Sequence, residues 1–549
     1  MEKGRGATMA GAVCAVGAAF LAGWVLPTSV EVVASRCGVG VEATRVGLLA
    51  SLASVLLLVI LDRAVPGGLV RYFGDYSMDH LASMAGEVPV KEAPGRGARG
   101  DLSPKKWWTM AEVAEGNGDA HCLMVVNGKV YDVSRSRFEH PGGDVIFSWA
   151  GLDATDMFAA FHKRSTYSSL EPLCVGEISD PNAEELLRDW RAMRARMVAN
   201  GLFKSSGAFY LYKTVTTGAI GVIGAGILLY ASDCGRTPEA VSALQGLASA
   251  VTIGLFWQQC GWLAHDYCHH QVFQSNRLLN NLLGQLVGAV WLGFSPHWWK
   301  NKHNVHHATP NVVDDHGGPV DPDIDTMPLL LWTEKMLAGR KVSDLSGTEY
   351  LLLAIQRWTL LPILSVARMS WLWESIKVGV SPSKFRTGPG WAVEAVGLLL
   401  HHAWFLCLSI YCTATPLHAA LYYAAAQTSS GLMLGSVFIV SHSGMATYTD
   451  RRSFAEEQII STRNVHGGAW NDWFSGGLNR QVEHHLFPTA PRHNLHHVAK
   501  EVKGFCGRHG FDYQDLSFSR ATFAVLDHLS DVTDAVIQGP AKGAVAAPA

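Results

Sequence analysis

The chain opens on two apolar stretches: "TMAGAVCAVGAAFLAGWVLP", after Lys3 and Arg5, and "VGLLASLASVLLLVIL", between Arg45 and Asp62. The first has the form of a signal-type h-region or a membrane anchor. The second is slightly short of the roughly 20 residues that span a bilayer. A Gly/Pro/charged linker follows, "EVPVKEAPGRGARGDLSPKK", and residues from about Trp107 to Asp180 are polar and mixed, in the manner of a small soluble domain. Beyond them the pattern turns apolar again. Runs near 212–232, 241–260, 391–412 and 418–440 are each long enough to cross. Weaker runs lie near 278–294 and 351–372. The latter carries Arg357 and Arg368 and fits the membrane surface better than its interior. No internal repeat is visible, and the Ala/Pro-rich tail is expected to be disordered.

Composition supports the membrane. Charged residues make up 17% of the 549, against roughly 25% in an ordinary soluble domain, and mean hydropathy is +0.12. A net charge of −3 offers no basic field for nucleic acid. The 10 cysteines are scattered without CxxC pairs, which argues against a disulfide framework or a zinc site. The 24 histidines are different, because many fall into short clusters.

The polar segment holds the first chemistry, in "NGKVYDVSRSRFEHPGGDVIFSWAGLDATDMFAAFH". Pro141-Gly142-Gly143 forces a tight turn after His140 and holds its imidazole at a fixed angle. His162 lies beyond a predicted helix containing Ala154 to Ala160. Two imidazoles on opposing loops around an apolar slot can saturate both axial positions of a haem iron, leaving it fit only to pass electrons. The bland alternative is two surface histidines beside a turn.

The membrane region holds three further clusters. "HDYCHH" supplies His265, His269 and His270, with 265 and 269 on one helical face. "HNVHH" supplies His303, His306 and His307, and "LNRQVEHHLFP" supplies Gln481, His484 and His485, both in an i, i+3, i+4 pattern. One such pair alone is more often a surface feature. Three beside predicted membrane segments are hard to dismiss, and imidazole suits iron in a two-metal site. If 212–232 pairs with 241–260 and 391–412 with 418–440, the haem segment and all three clusters share one face. The run at 278–294 is then peripheral or re-entrant.

Two resemblances join these observations. "VYDVS", "HPGGDVIFSWAGLDATDMF" and "FH" resemble cytochrome b5 over roughly residues 103–180, with His140 and His162 as the axial ligands. From about residue 103 to about 530 the chain resembles a front-end acyl desaturase, through HxxxHH, HxxHH and QxxHH together with "WWKNKHNVHHATPN", "DPDIDTMPLL" and "GLNRQVEHHLFPTAPRHNL". The wording is most like algal Δ6 desaturases of polyunsaturated fatty acids. The resemblance implies a small α+β cytochrome b5-like haem domain, 103–180, fused to an all-α multi-pass membrane desaturase domain, 205–530. Flanking them are an extension over 1–100 and a disordered tail over 531–549. It also implies haem b and two irons held by the three clusters, with Gln481 as a carboxamide near or on the metal. Using O2, such an enzyme removes two hydrogens from a fatty acyl chain, carried on coenzyme A or a phospholipid, and leaves a cis double bond. Electrons come from NADH through a separate cytochrome b5 reductase, which points to the endoplasmic reticulum with the site facing the cytosol. The N-terminal extension leaves a plastid open.

Other residues rank below these. His442, in "FIVSHSGMATY", follows the last membrane run, and in the wider membrane desaturase family an extra histidine in this region ligates iron. His297 and His466 are weaker candidates, and His401 and His402 fit a structural role. His493, His496 and His497 fit a polar surface helix. Asp266 can orient a ligand imidazole. Asp321, Asp323 and Asp325 in "DPDIDTMP" fit a turn with helix capping better than metal ligation. Trp298 and Trp299 fit the membrane interface. Competing functions are a sphingoid long-chain-base desaturase, a hydroxylase on the same metal site, and a membrane haem protein that only relays electrons.

Overall fold

The computed structural model describes residues 106–538 except 119–120, 139, 141–142, 163, 180–184, 234–238, 275, 381–388 and 414. Both N-terminal apolar segments and the tail beyond 538 lie outside the described residues.

The first unit is built on a small sheet. Strands β1 (Trp107–Trp108), β2 (Asn117–Gly118), β3 (His121–Val126), β4 (Lys129–Asp132) and β5 (Cys174–Ile178) run in the order β1-β5-β4-β3-β2. β1 is parallel to β5 and the other neighbours are antiparallel. The period-2 alternation of a strand divides β3 between two cores. Leu123 and Val125 pack with Val113, Val130 and Ile178. Cys122, Met124 and Val126 face Tyr131, Trp149 and Phe158. Helix α1 (Thr155–Phe161) starts where Asp153 Oδ1 accepts from the Thr155 N–H at 3.0 Å, and it stops at His162.

Helix α2 (Glu185–Ala199) leads out of this unit. Its buried Leu187, Trp190, Met193 and Met197 lie along one stripe, and the Trp190 ring stacks on Phe487 at 4.8 Å. Long apolar helices follow: α3 (Gly207–Asp233) and α4 (Glu239–Cys268), then α5 (Arg277–Gln285), which continues as a π-helical turn over Leu286–Leu292. Next come α6 (Pro296–Ala308), α7 (Gly347–Ser365), α8 (Ala367–Val380), α9 (Pro389–Tyr411) and α10 (Pro416–His442). Further helices follow towards the end of the chain, among them α11 (Phe454–Ile460), α12 (Gln481–Leu486), α13 (Leu495–His509) and α14 (Phe518–Gln538).

Glycines set how closely the long helices approach. A Cβ on Gly224 of α3 would lie 2.9 Å from Ile253 of α4, and one on Gly254 would lie 2.2 Å from Ser429 Oγ of α10. Close small-residue contacts are how helices associate where lipid removes the hydrophobic drive. Outward, Leu211, Val222, Tyr230, Leu399 and Leu417 are each at least 65% exposed, an apolar surface suited to acyl chains.

By length and composition α3, α9 and α10 can cross a membrane, and up to five spans exist among the described residues if each bent pair is one span. The run expected at 241–260 forms α4, whose 30 residues span about 45 Å. Gln245, Gln258 and Gln259 interrupt its apolar face. The weak run at 278–294 bends by 107° into α6, in keeping with a re-entrant or broken element.

Two expectations are corrected. Arg368 does not lie at a surface: it is buried, donating to Gln427 Oε1 at 2.9 Å and to the Leu292 carbonyl at 2.7 Å, 4.3 Å from the Trp257 ring centre. Residues 531–538 are not part of a disordered tail, because α14 continues to Gln538. There Val525, Leu529 and Val532 bury against Leu353, Leu360 and Leu364 of α7.

Candidate active site

The expected haem pair, His140 and His162, is brought together by two loops. His140 follows the 3-10 turn Ser134–Phe138, its N–H bonded to the Ser136 carbonyl at 3.0 Å, and His162 sits just past the end of α1. The ring centres lie 6.0 Å apart. A metal atom bonded to one nitrogen of each ring at about 2 Å would leave the centres roughly 6 Å apart, so the pair fits an iron between them. His162 Nδ1 donates to the Phe158 carbonyl at 3.1 Å, which leaves Nε2 as the free ligand, and Phe158 stacks on the ring at 4.1 Å. Burial, with His140 beside it, pushes His162 down to about 3 and keeps it neutral, the form that binds metal.

The second site lies where α4, α6, α10 and α12 end together. His265, in the last turn of α4, and His269, just past its end, lie one turn apart. Helix α6 starts on the Ser295 cap with Pro296 in its first turn and carries His303, His306 and His307 near its end. Short α12 presents Gln481, His484 and His485, and His442 is the last residue of α10.

Ligand atoms of His265, His269, His303 and His484 all lie within 4.8 Å of one another, as do those of His306, His442 and His485. His307 sits between these groups, its ring 4.7 Å from His484 and 4.1 Å from His485. Gln481 Nε2 is 3.0 Å from His442 Nε2; its amide oxygen and nitrogen are interchangeable by a flip, so the carboxamide borders the second group either way.

Buried polar atoms normally find partners. Here His269 Nε2, His307 Nδ1, His442 Nδ1, His484 Nδ1 and His485 Nε2 are buried with no hydrogen-bond partner. So many neutral, unpartnered imidazole nitrogens facing one another are costly unless cations sit among them. The donor set is nitrogen-rich and free of thiolates, which suits iron, and its division into two groups suits a pair of ions.

Partners behind these imidazoles hold the rings in place. His306 Nδ1 is 3.0 Å from both oxygens of Asp321, which also accept from the Asn311 and Asp323 N–H groups. His265 Nδ1 is 3.2 Å from Asp266 Oδ1, and Asp266 Oδ2 pairs with Arg492 Nε at 2.8 Å. His485 Nδ1 is 2.9 Å from Gln458 Oε1, whose amide donates to the His307 carbonyl at 3.1 Å. A carboxylate or amide oxygen on Nδ1–H fixes the tautomer and points Nε2 at the metal. Asp266 thus stands where the sequence suggested. Asp321 forms the expected turn and also orients a ring. No motif marks Gln458, and only packing brings it to the site.

Other expectations shift. His270 does not join either group: α4 ends at Cys268, His270 adopts φ +57°, and its Nε2 lies 3.1 Å from Asn281 Oδ1. Trp299 is not at an interface but is buried, stacked on His303 at 4.1 Å, while Trp298 packs near Trp371. His493 is half-buried, its Nε2 accepting from the Ser206 N–H at 3.0 Å, while His496 and His497 are exposed on α13 as expected. His297 pairs with Asn301 and His466 with Asp515, both away from the cluster. His401 is 3.2 Å from the Val290 carbonyl, a structural contact.

Two facing imidazoles in a small sheet-based unit, packed against a two-group histidine cluster at a membrane bundle, fit an electron-fed membrane oxidoreductase. Residues 242–517 match the fatty acid desaturase family, and residues 109–179 match the cytochrome b5-like haem/steroid binding domain. The chain is 41% identical to an acyl-lipid (9-3)-desaturase of Physcomitrium patens, over 78% of this chain and 79% of that protein. It is 33% identical to a Delta(8)-fatty-acid desaturase of Euglena gracilis, over 68% and 87%. With a Delta(6)-fatty-acid desaturase of Caenorhabditis elegans it shares 30%, over 71% and 91%. This protein belongs to the fatty acid desaturase family, as a cytochrome b5-fused front-end desaturase.

Proposed function

We propose that this enzyme places a cis double bond at carbon 6 of a polyunsaturated fatty acyl chain, between an existing double bond and the carboxyl end. The observation that carries the chemistry is the pair of histidine groups packed beneath the haem domain. His140 and His162 would hold haem b. His265, His269, His303 and His484 would hold one iron, and His306, His442 and His485 the other, with His307 between them and Gln481 at the border. When bound, the irons supply the O2-derived oxidant for an unactivated methylene, which no side chain can provide.

The chain's own residues prepare that chemistry. Asp321, Asp266 and Gln458 hold Nδ1 protons and so keep Nε2 lone pairs aimed inward. Trp299, stacked on His303 and buried, excludes water from one wall. Fusion keeps the haem donor at high effective concentration beside its acceptor.

The choice of carbon 6 is supported by the (9-3) name of the 41% identical relative; the relatives at carbon 8 set the main alternative regiochemistry. Electrons would come from NADH through a separate cytochrome b5 reductase at the endoplasmic reticulum, with both sites on the cytosolic side. The test is expression in yeast fed linoleic, α-linolenic or longer polyunsaturated acids, with gas chromatography of the products. A new acid whose bond maps to carbon 6 is expected. A bond at carbon 4, 5 or 8 would move the regiochemistry. No new fatty acid but an altered sphingoid base would transfer the activity to long-chain-base desaturation.

A further inference from the structure

We propose that Phe161 is the residue that couples the haem site to the histidine cluster, and that the packed arrangement of the two domains is the one in which electrons pass. The inference rests on the haem and di-iron assignment above.

Phe161 is the last residue of α1 and is bonded directly to His162, the haem ligand. Its ring meets His307 edge-on, with centres 5.8 Å apart and planes at 82°. A haem-ligand residue and a cluster histidine are thus separated by one peptide link and one ring contact.

The neighbouring bonds lock that contact. Trp149 Nε1 donates to the carbonyl of Ala308, the residue after His307, at 2.9 Å, and the indole is 2% exposed. Arg451 donates to the Ser148 carbonyl at 2.7 Å and to the Ala308 carbonyl at 3.3 Å, while Glu457 grips its guanidinium at 2.8 and 2.9 Å. Thr489 Oγ1 donates to the Ala160 carbonyl at 3.3 Å. Trp149 and Phe158 share one continuous core with Phe454, Val482 and Phe487 of the desaturase domain. A carrier that must leave to be reduced and return would present a wet, polar face. This one is seated through a buried indole and a shared core.

The electron balance is simple. Each transfer oxidises the haem iron by one electron and reduces the cluster by one. Two transfers, two hydrogens from the acyl chain and two protons from solvent convert one O2 to two waters. The haem is reduced again by a nicotinamide-linked flavoprotein. Phe161 itself is not oxidised or reduced; it replaces empty space or solvent with a polarisable π-system between donor and acceptor.

The test uses the full chain loaded with haem and iron, its haem pre-reduced, mixed with O2 and an acyl substrate while the haem absorbance is followed. Phe161→Leu keeps an apolar but smaller side chain and removes the ring, and Phe161→Tyr keeps the ring. Haem spectrum, midpoint potential and unfolding temperature report the fold independently. We expect Phe161→Leu to slow haem reoxidation about tenfold. Phe161→Tyr should stay near wild type, with spectrum and potential unchanged in both. Wild-type speed in Phe161→Leu, or equal slowing in both variants, would overturn the proposal alone. Wild-type haem that ignores O2 and substrate would overturn the desaturase assignment and this proposal with it.

Discussion

His306 Nδ1 lies 3.0 Å from each carboxylate oxygen of Asp321, a fully buried acid fifteen residues further along the chain. The same carboxylate closes a turn by accepting the N–H groups of Asn311 and Asp323, so a loop-forming residue also sets the angle of a ring in the histidine cluster. Asp321→Asn preserves size but weakens the hold on the Nδ1 proton. Loss of such a partner lowers metal affinity or activity by roughly 10- to 100-fold. Iron content of the purified variant, alongside product formation, checks this; unchanged iron binding would limit Asp321 to the turn.

His269 and His270 are adjacent in sequence but separated in role. His269 faces His265, His303 and His484, whereas His270 turns toward Asn281 and Lys300. His269→Ala is expected to lose iron and all product. His270→Ala should retain both, with a modest cost in stability. Metal analysis of the two variants decides, and equal iron loss would return His270 to the ligand set.

Trp149 anchors the haem domain through the Ala308 carbonyl and the guanidinium of Arg451, 4.6 Å from its ring centre. Truncation of a buried indole costs about 3 to 5 kcal/mol. Trp149→Ala should therefore lower the unfolding temperature and make the linker around the haem domain susceptible to limited proteolysis. A haem domain that stays protected would show that the shared core alone holds it.

Gly431 lets α10 approach the end of α7: a Cβ there would lie 2.5 Å from the Ser365 carbonyl oxygen, a backbone atom that cannot swing aside. Gly431→Ala should destabilise by about 1 to 3 kcal/mol. Gly226→Ala, with nothing within 4 Å of the new methyl, should be neutral or gain roughly 0.5 to 1 kcal/mol from reduced backbone freedom. Thermal unfolding in detergent compares them, and equal effects would refute close packing at Gly431.

The resemblance to cytochrome b5 singled out His140 and His162, and spacing and composition located the i, i+3, i+4 clusters and the long apolar helices. These are periodic or contiguous features, and helix geometry turns them directly into shared faces. His442 was also visible, as a lone imidazole at the end of an apolar run. Only the tertiary structure decided that His270 turns away, because a helix end and a left-handed residue rotate one imidazole out of a cluster its neighbour joins. It also decided that Arg368 is buried, that Gln458 and Asp321 hold the rings of His485 and His306, and that Phe161 meets His307. Each of these depends on side chains far apart in sequence packing together. No local period encodes such contacts, since they arise only when separate elements share a core.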